Sequence, residues 1–108
     1  MERQRLTFNE WTVSGEVFYL KDLEGEFAAS MQLRGVAKRD GVFSSSVMEL
    51  GCLMQKKVYE TAKRKGLDMY SYVCLSGHLE TWVKNSRSGP RKKMMFIVDY
   101  VIDVENKS

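Results

Sequence analysis

Residues 70–105 read YSYVCLSGHLETWVK, NSRSGP, RKKMMFIVDYVIDVE, and this stretch decides the fold. The first piece alternates with a period of two, the signature of a strand with one face in a core. Val73, Leu75, Gly77, Leu79, Thr81 and Val83 fall on one side. Tyr72, Cys74, Ser76, His78, Glu80, Trp82 and Lys84 fall on the other. Residues 85–90 supply the Gly-Pro turn chemistry of a loop. The last piece alternates again: Met94, Phe96, Val98, Tyr100, Ile102 and Val104 share the expected core side, with Asp99 and Asp103 opposite. The sequence thus predicts two long strands joined by a basic loop.

Working back toward the N-terminus, residues 54–65 carry the one convincing helix pattern. Met54, Val58 and Ala62 repeat at i, i+4 and i+8 with Tyr59 beside them, an apolar stripe that reads as core. Lys63, Arg64 and Lys65 suit a helix C-terminus, and Gly66 suits the residue that stops it. Before the helix, VFSSSVMELGCL reads as a strand, although Val47 and Met48 are adjacent and leave its parity open. FAASMQLRGVAKR alternates with Phe27, Ala29, Met31, Leu33, Gly35 and Ala37 inward and Arg34 and Lys38 outward, and Asp40-Gly41 makes the turn that follows. WTVSGEVFYL places Val13, Gly15, Val17 and Tyr19 together. The order is three strands, a helix and two strands. That is the order of the five-stranded OB barrel, so an all-β OB fold with one helix is expected. One crossover helix for about five strands argues against parallel βαβ units. The expected organisation is a loose arm over residues 1–10, one OB domain over 11–105 and a short tail over 106–108.

The chain has 108 residues, 44% of them hydrophobic and 29% charged, which suits one folded domain rather than disorder. Its net charge is only +3, so placement matters more than total. Lys84, Arg87, Arg91, Lys92 and Lys93 crowd one loop with no acid among them, while Arg34, Lys38 and Arg39 form another cluster. Such patches suit a polyanion, although each alone also fits ordinary solvated surface. Cys52 and Cys74 have no metal-ligand spacing and read as buried thiols of a reducing cytoplasm, with a disulfide between them left open. No signal-peptide or membrane-span pattern is present. With one histidine, no base–nucleophile spacing and no phosphate-loop glycines, catalysis, cofactors and metals are not expected.

The pieces together resemble the bacterial single-stranded DNA-binding protein family, in a short form such as phages and mobile elements carry. The resemblance covers roughly residues 9–104. It rests on Asn9 with TVSGEV, FAASMQLRGVAKR, VMELG leading into the helix, Lys65-Gly66 closing it, and LSGHLETWVK followed by a basic loop and MMFIVDYVIDVE. There is also a fainter similarity to the OB protein that staphylococcal cassette elements encode beside a polymerase-like primase. The family stacks bases on middle-strand aromatics, whereas this chain offers Ser44, Ser45 and Ser46 there. The family's acidic C-terminal tip has no counterpart in DVENKS. The resemblance therefore implies single-stranded DNA binding in DNA replication with differently placed contacts. It also implies a dedicated partner such as a primase or DNA polymerase, and a homo-oligomer.

Single-strand binders need a positive groove for phosphates and flat side chains for bases. Trp82 is the leading stacking candidate, because it shares a strand face with Lys84, His78 and Tyr72. It could equally cover the barrel edge or a subunit interface. The expected binding set is Arg34, Lys38, Arg39, Tyr72, His78, Trp82, Lys84, Arg87, Arg91, Lys92 and Lys93. Phe18 reads more as core or interface than as a stacking residue. The rival reading is a protein–protein accessory subunit with weak or shared DNA binding.

Overall fold

The computed structural model describes residues 9–39 and 42–106, and the side chains of 9–35 and 49–106. The expected Asp40-Gly41 turn and the side chains of Lys38, Arg39, Ser44, Ser45 and Ser46 lie outside the described residues. The elements are β1 (Trp11–Asp22), β2 (Phe27–Arg39), β3 (Val42–Gln55), α1 (Lys56–Arg64), β4 (Tyr72–Ser86) and β5 (Gly89–Glu105). The five strands close into a barrel in the order β1-β2-β3-β5-β4. β3 and β5 pair in parallel, and the remaining neighbours are antiparallel. Closure removes the open strand edges that would otherwise recruit other chains. The core is built from Val17, Ala29, Met31, Leu33, Met54, Leu75 and Val98, none more than 1% exposed.

The helix begins two residues later than its stripe suggests, because Met54 still belongs to β3, where it is fully buried. Tyr59 and Ala62 are the buried helix residues. The Tyr59 hydroxyl donates to the Asp22 carboxylate at the end of β1. Burial, with that carboxylate beside it, pushes the phenol pKa up to about 12, so Tyr59 stays a donor. At the other end, Leu67 N–H donates to Ala62 C=O at 3.0 Å and Gly66 N–H to Lys63 C=O at 3.0 Å. Gly66 sits at φ +101°, the left-handed conformation this helix stop requires.

Two strands depart from simple alternation. In β1 the register passes from Val17↔Leu33 to Tyr19↔Gln32, leaving Phe18 as an extra residue. Tyr19, expected inward, is therefore 43% exposed, and Leu20 packs on the core instead. In β5 the partners jump from Gly77↔Val98 to Ser76↔Tyr100, and again from Leu75↔Val101 to Cys74↔Asp103. Tyr100 and Ile102, expected inward, end up outside, while Val101 and Val104 pack on the core. Each bulge inserts one residue, reverses the parity after it and bends the strand, which is how a sheet curls into a barrel.

Candidate nucleic-acid interface

The β4–β5 hairpin extends as a continuous ladder through Thr81↔Met94, Trp82↔Lys93, Val83↔Lys92, Lys84↔Arg91, Asn85↔Pro90 and Ser86↔Gly89. Directly opposed residues in an antiparallel pair share a face, and successive residues alternate between faces. Trp82, Lys84, Arg91 and Lys93 therefore lie together on one face of the hairpin. Thr81, Val83, Lys92 and Met94 lie on the other, with Val83 and Met94 61% and 58% exposed. Arg87 stands at the turn. Among the described residues none of the five hairpin cations is paired with a carboxylate. Like charges so close repel one another unless an anion comes between them.

Trp82 is 38% exposed. Its ring lies 5.6 Å from that of Phe27, tilted by 35°. Its Nε1–H donates to Glu80 Oε1 at 3.0 Å. Glu80 Oε2 meets His78 Nε2 at 2.6 Å, and His78 Nδ1 meets Asp99 Oδ2 at 2.7 Å. The hydrogen bond to Asp99, followed by that to Glu80, raises the imidazole pKa above its ordinary 6.5. The bonds from Trp82 and then His78 lower that of Glu80. His78 thus stands between two carboxylates and not on an open cationic surface.

Beside the hairpin, where β3 and β5 diverge, lies a groove of about 380 Å³. Gln32, Glu49, Gly51, Lys93 and Met95 are among its lining residues. A side chain built at Gly51 would meet nothing within 4 Å, so the groove floor is open there. A smaller hollow shares Gln32 and Gly51 with it and reaches Phe18. The Arg34 guanidinium lies 5.6 Å above the Phe18 ring and donates through Nε and Nη2 to Glu16 Oε1, at 3.1 and 2.9 Å. Glu49 is its cross-strand partner on the other side. Arg34 is therefore outward as expected, but largely neutralised.

The structure thus brings together Trp82, Lys84, Arg91 and Lys93, with Arg87 at the tip and Lys92 facing away. Tyr72 is exposed but stands at the far end of β4, ten residues before Trp82, about 33 Å along an extended strand. Phe27, Glu80 and Met95 join the site without having been expected there. Phe27 read as the first core residue of its strand, and a register shift between Phe27 and Ala29 places it otherwise.

Comparison with solved structures is decisive for the architecture. A single-stranded DNA-binding protein (SSB) of Plasmodium falciparum, solved in complex with ssDNA, superposes with a TM-score of 0.63 at 18% identity, covering 95% of this chain and 96% of that one. The fold is the OB fold. Two further OB proteins are similar. The mitochondrial single-stranded DNA-binding protein Rim1 of S. cerevisiae matches at TM-score 0.65 and 9% identity, over 94% of this chain and all of that one. A small single-stranded DNA-binding protein from Mycoplasma pneumoniae matches at 0.58 and 12%, over 94% and 99%. No family model and no curated protein matches the sequence. Among the described residues no helix of this OB chain is long and apolar enough to cross a membrane.

Proposed function

We propose that the protein binds single-stranded DNA without strong sequence preference, using the indole-bearing face of the β4–β5 hairpin and the adjoining groove. The observation that carries the reading is the convergence on one face of an exposed indole and three cations, Lys84, Arg91 and Lys93, next to the groove that Lys93 and Met95 line. Phosphates would follow the cations, and a base would stack on Trp82. The Plasmodium SSB, which shares this fold, is in complex with ssDNA. The test is a titration of fluorescent oligo-dT at low salt. Trp82→Ala should weaken binding by about 1–3 kcal/mol, roughly 5- to 150-fold, the range for a base–aromatic stack. Equal competition by duplex of the same length, or no binding at low salt, would reject the proposal.

A second reading, an accessory subunit of a primase or polymerase, draws on a different surface. Tyr100 and Ile102 are 71% and 52% exposed on the barrel body, outside the hairpin ladder that carries Trp82. A homo-oligomer would cover the same apolar area, and its mass by light scattering separates the two.

A further inference from the structure

The chain of contacts behind Trp82 has a consequence for binding that stacking alone does not predict. Each ring nitrogen of His78 faces a carboxylate oxygen, at 2.7 Å on Asp99 and 2.6 Å on Glu80. A neutral imidazole has one N–H and can satisfy only one of them, whereas the imidazolium donates to both. Glu80 uses its second oxygen to accept from the Trp82 indole. The indole's orientation is thereby tied, through one carboxylate, to whether His78 holds its second proton.

We propose that Asp99, His78 and Glu80 form a proton-dependent relay that positions Trp82 for a nucleic-acid base, with Glu80 and His78 as positioning residues. The inference rests on the single-stranded DNA reading. When His78 is doubly protonated, Glu80 is pinned between imidazolium and indole. When it loses a proton, one carboxylate contact becomes a repulsion between lone pairs, and Glu80 is free to turn away. The cluster's charge also changes from −1 to −2 beside Lys93, on the face where phosphates are expected. Both effects weaken binding as pH rises.

Other charged groups pack around the relay. From β5, Lys93 stands opposite Trp82 in the ladder, and Lys57 of α1 lines a hollow together with Asp99. From the segment before β1, Glu10 takes a hydrogen bond from Ser76, and the Trp11 indole donates to the His78 backbone carbonyl. His78 is the group whose ordinary value of about 6.5 lies inside the pH range tested, and both of its ring nitrogens face carboxylates.

The test uses the full chain. The Trp82 indole ¹H–¹⁵N resonance is followed from about pH 5.5 to pH 9 in the free protein, and oligo-dT affinity is measured over the same range. The resonance should move with the midpoint of the His78 ring, and affinity should fall by roughly 2- to 10-fold through that midpoint, the net worth of one hydrogen bond. Glu80→Gln keeps an acceptor for the indole and an amide donor for neutral His78, so its indole resonance should stay flat as His78 titrates, and only the charge effect should remain in the pH dependence of its affinity. His78→Gln should bind at the high-pH level throughout. A Trp82 resonance that stays flat while His78 titrates overturns the relay, whatever the affinity does. A resonance that moves with an affinity that does not overturns its link to binding. Absence of binding at every pH overturns instead the functional reading on which the relay rests.

Discussion

Lys92 and Lys93 are neighbours in sequence with the same charge and similar exposure, yet they lie on opposite faces of the hairpin. This makes a sharp test of which face carries phosphate. For single strands, log K falls with log salt by about 0.7 for each phosphate neutralised. Removing Lys84, Arg91 and Lys93 together to Ala should make that slope shallower by about 2. Between 50 and 200 mM salt, a fourfold change, the variant's deficit against the parent should shrink by about 20-fold. Lys93→Ala alone should lower the slope by about 0.7, and Lys92→Ala should leave it unchanged. The assay is fluorescence anisotropy of labelled oligo-dT at four or more salt concentrations, with circular dichroism confirming that each variant is folded. Equal slope changes for Lys92→Ala and Lys93→Ala would refute the face assignment. A triple variant with the parent's slope would remove the hairpin from the interface.

Two further outcomes concern stability. At Gly77 a Cβ would stand 1.8 Å from the Ile97 carbonyl oxygen and 2.6 Å from the Trp11 ring. Because backbone must yield, Gly77→Ala should cost at least the upper end of the roughly 1–3 kcal/mol of overpacking and lower Tm by about 10 °C or more in a thermal melt. His78 has a raised pKa in the folded state. Its contribution to stability is full below the unfolded value of about 6.5 and is lost as pH rises through the folded value. Urea midpoints should therefore decline over that window in the parent and stay level in His78→Gln.

The fold was largely legible because element order survives local irregularity. Five alternating segments and one apolar stripe are enough to specify the barrel's connectivity, and the Schellman stop at Gly66 follows from Lys65-Gly66 at the end of the helix. The two long strands also placed Trp82 beside Lys84 correctly, because the ladder runs without a register shift from Gly77 to Ser86. What alternation could not reveal was where parity changes. The extra residues at Phe18, Asp99 and Ile102 have no composition that marks them as bulges, yet they turn Tyr19, Tyr100 and Ile102 outward. The apolar character of those residues fits a core equally well, so only the curvature of the closed sheet decides. Glu80 was visible on the Trp82 face, but a carboxylate two residues from an indole carries no signal until their rotamers are known.

Charge shows the same division between what is counted and what is placed. Arg34 belongs by sequence to a basic cluster, but Glu16 holds it at 2.9 Å and Glu49 stands opposite it in the next strand. A phosphate approaching the β1–β3 surface at that point meets one cation flanked by two carboxylates, with little net attraction. On the hairpin, residues 81–98 contain five cations and no acid, and the nearest carboxylates along the two strands, Glu80 and Asp99, are engaged by His78. The electrostatic field is therefore uneven across the face that OB proteins commonly use. On the single-stranded DNA reading, phosphates should run along the Lys84–Arg91 rail with bases turned toward Trp82 and the Gly51 groove. In this chain the hairpin would hold the ligand, with Phe27 of β2 backing the Trp82 indole from 5.6 Å.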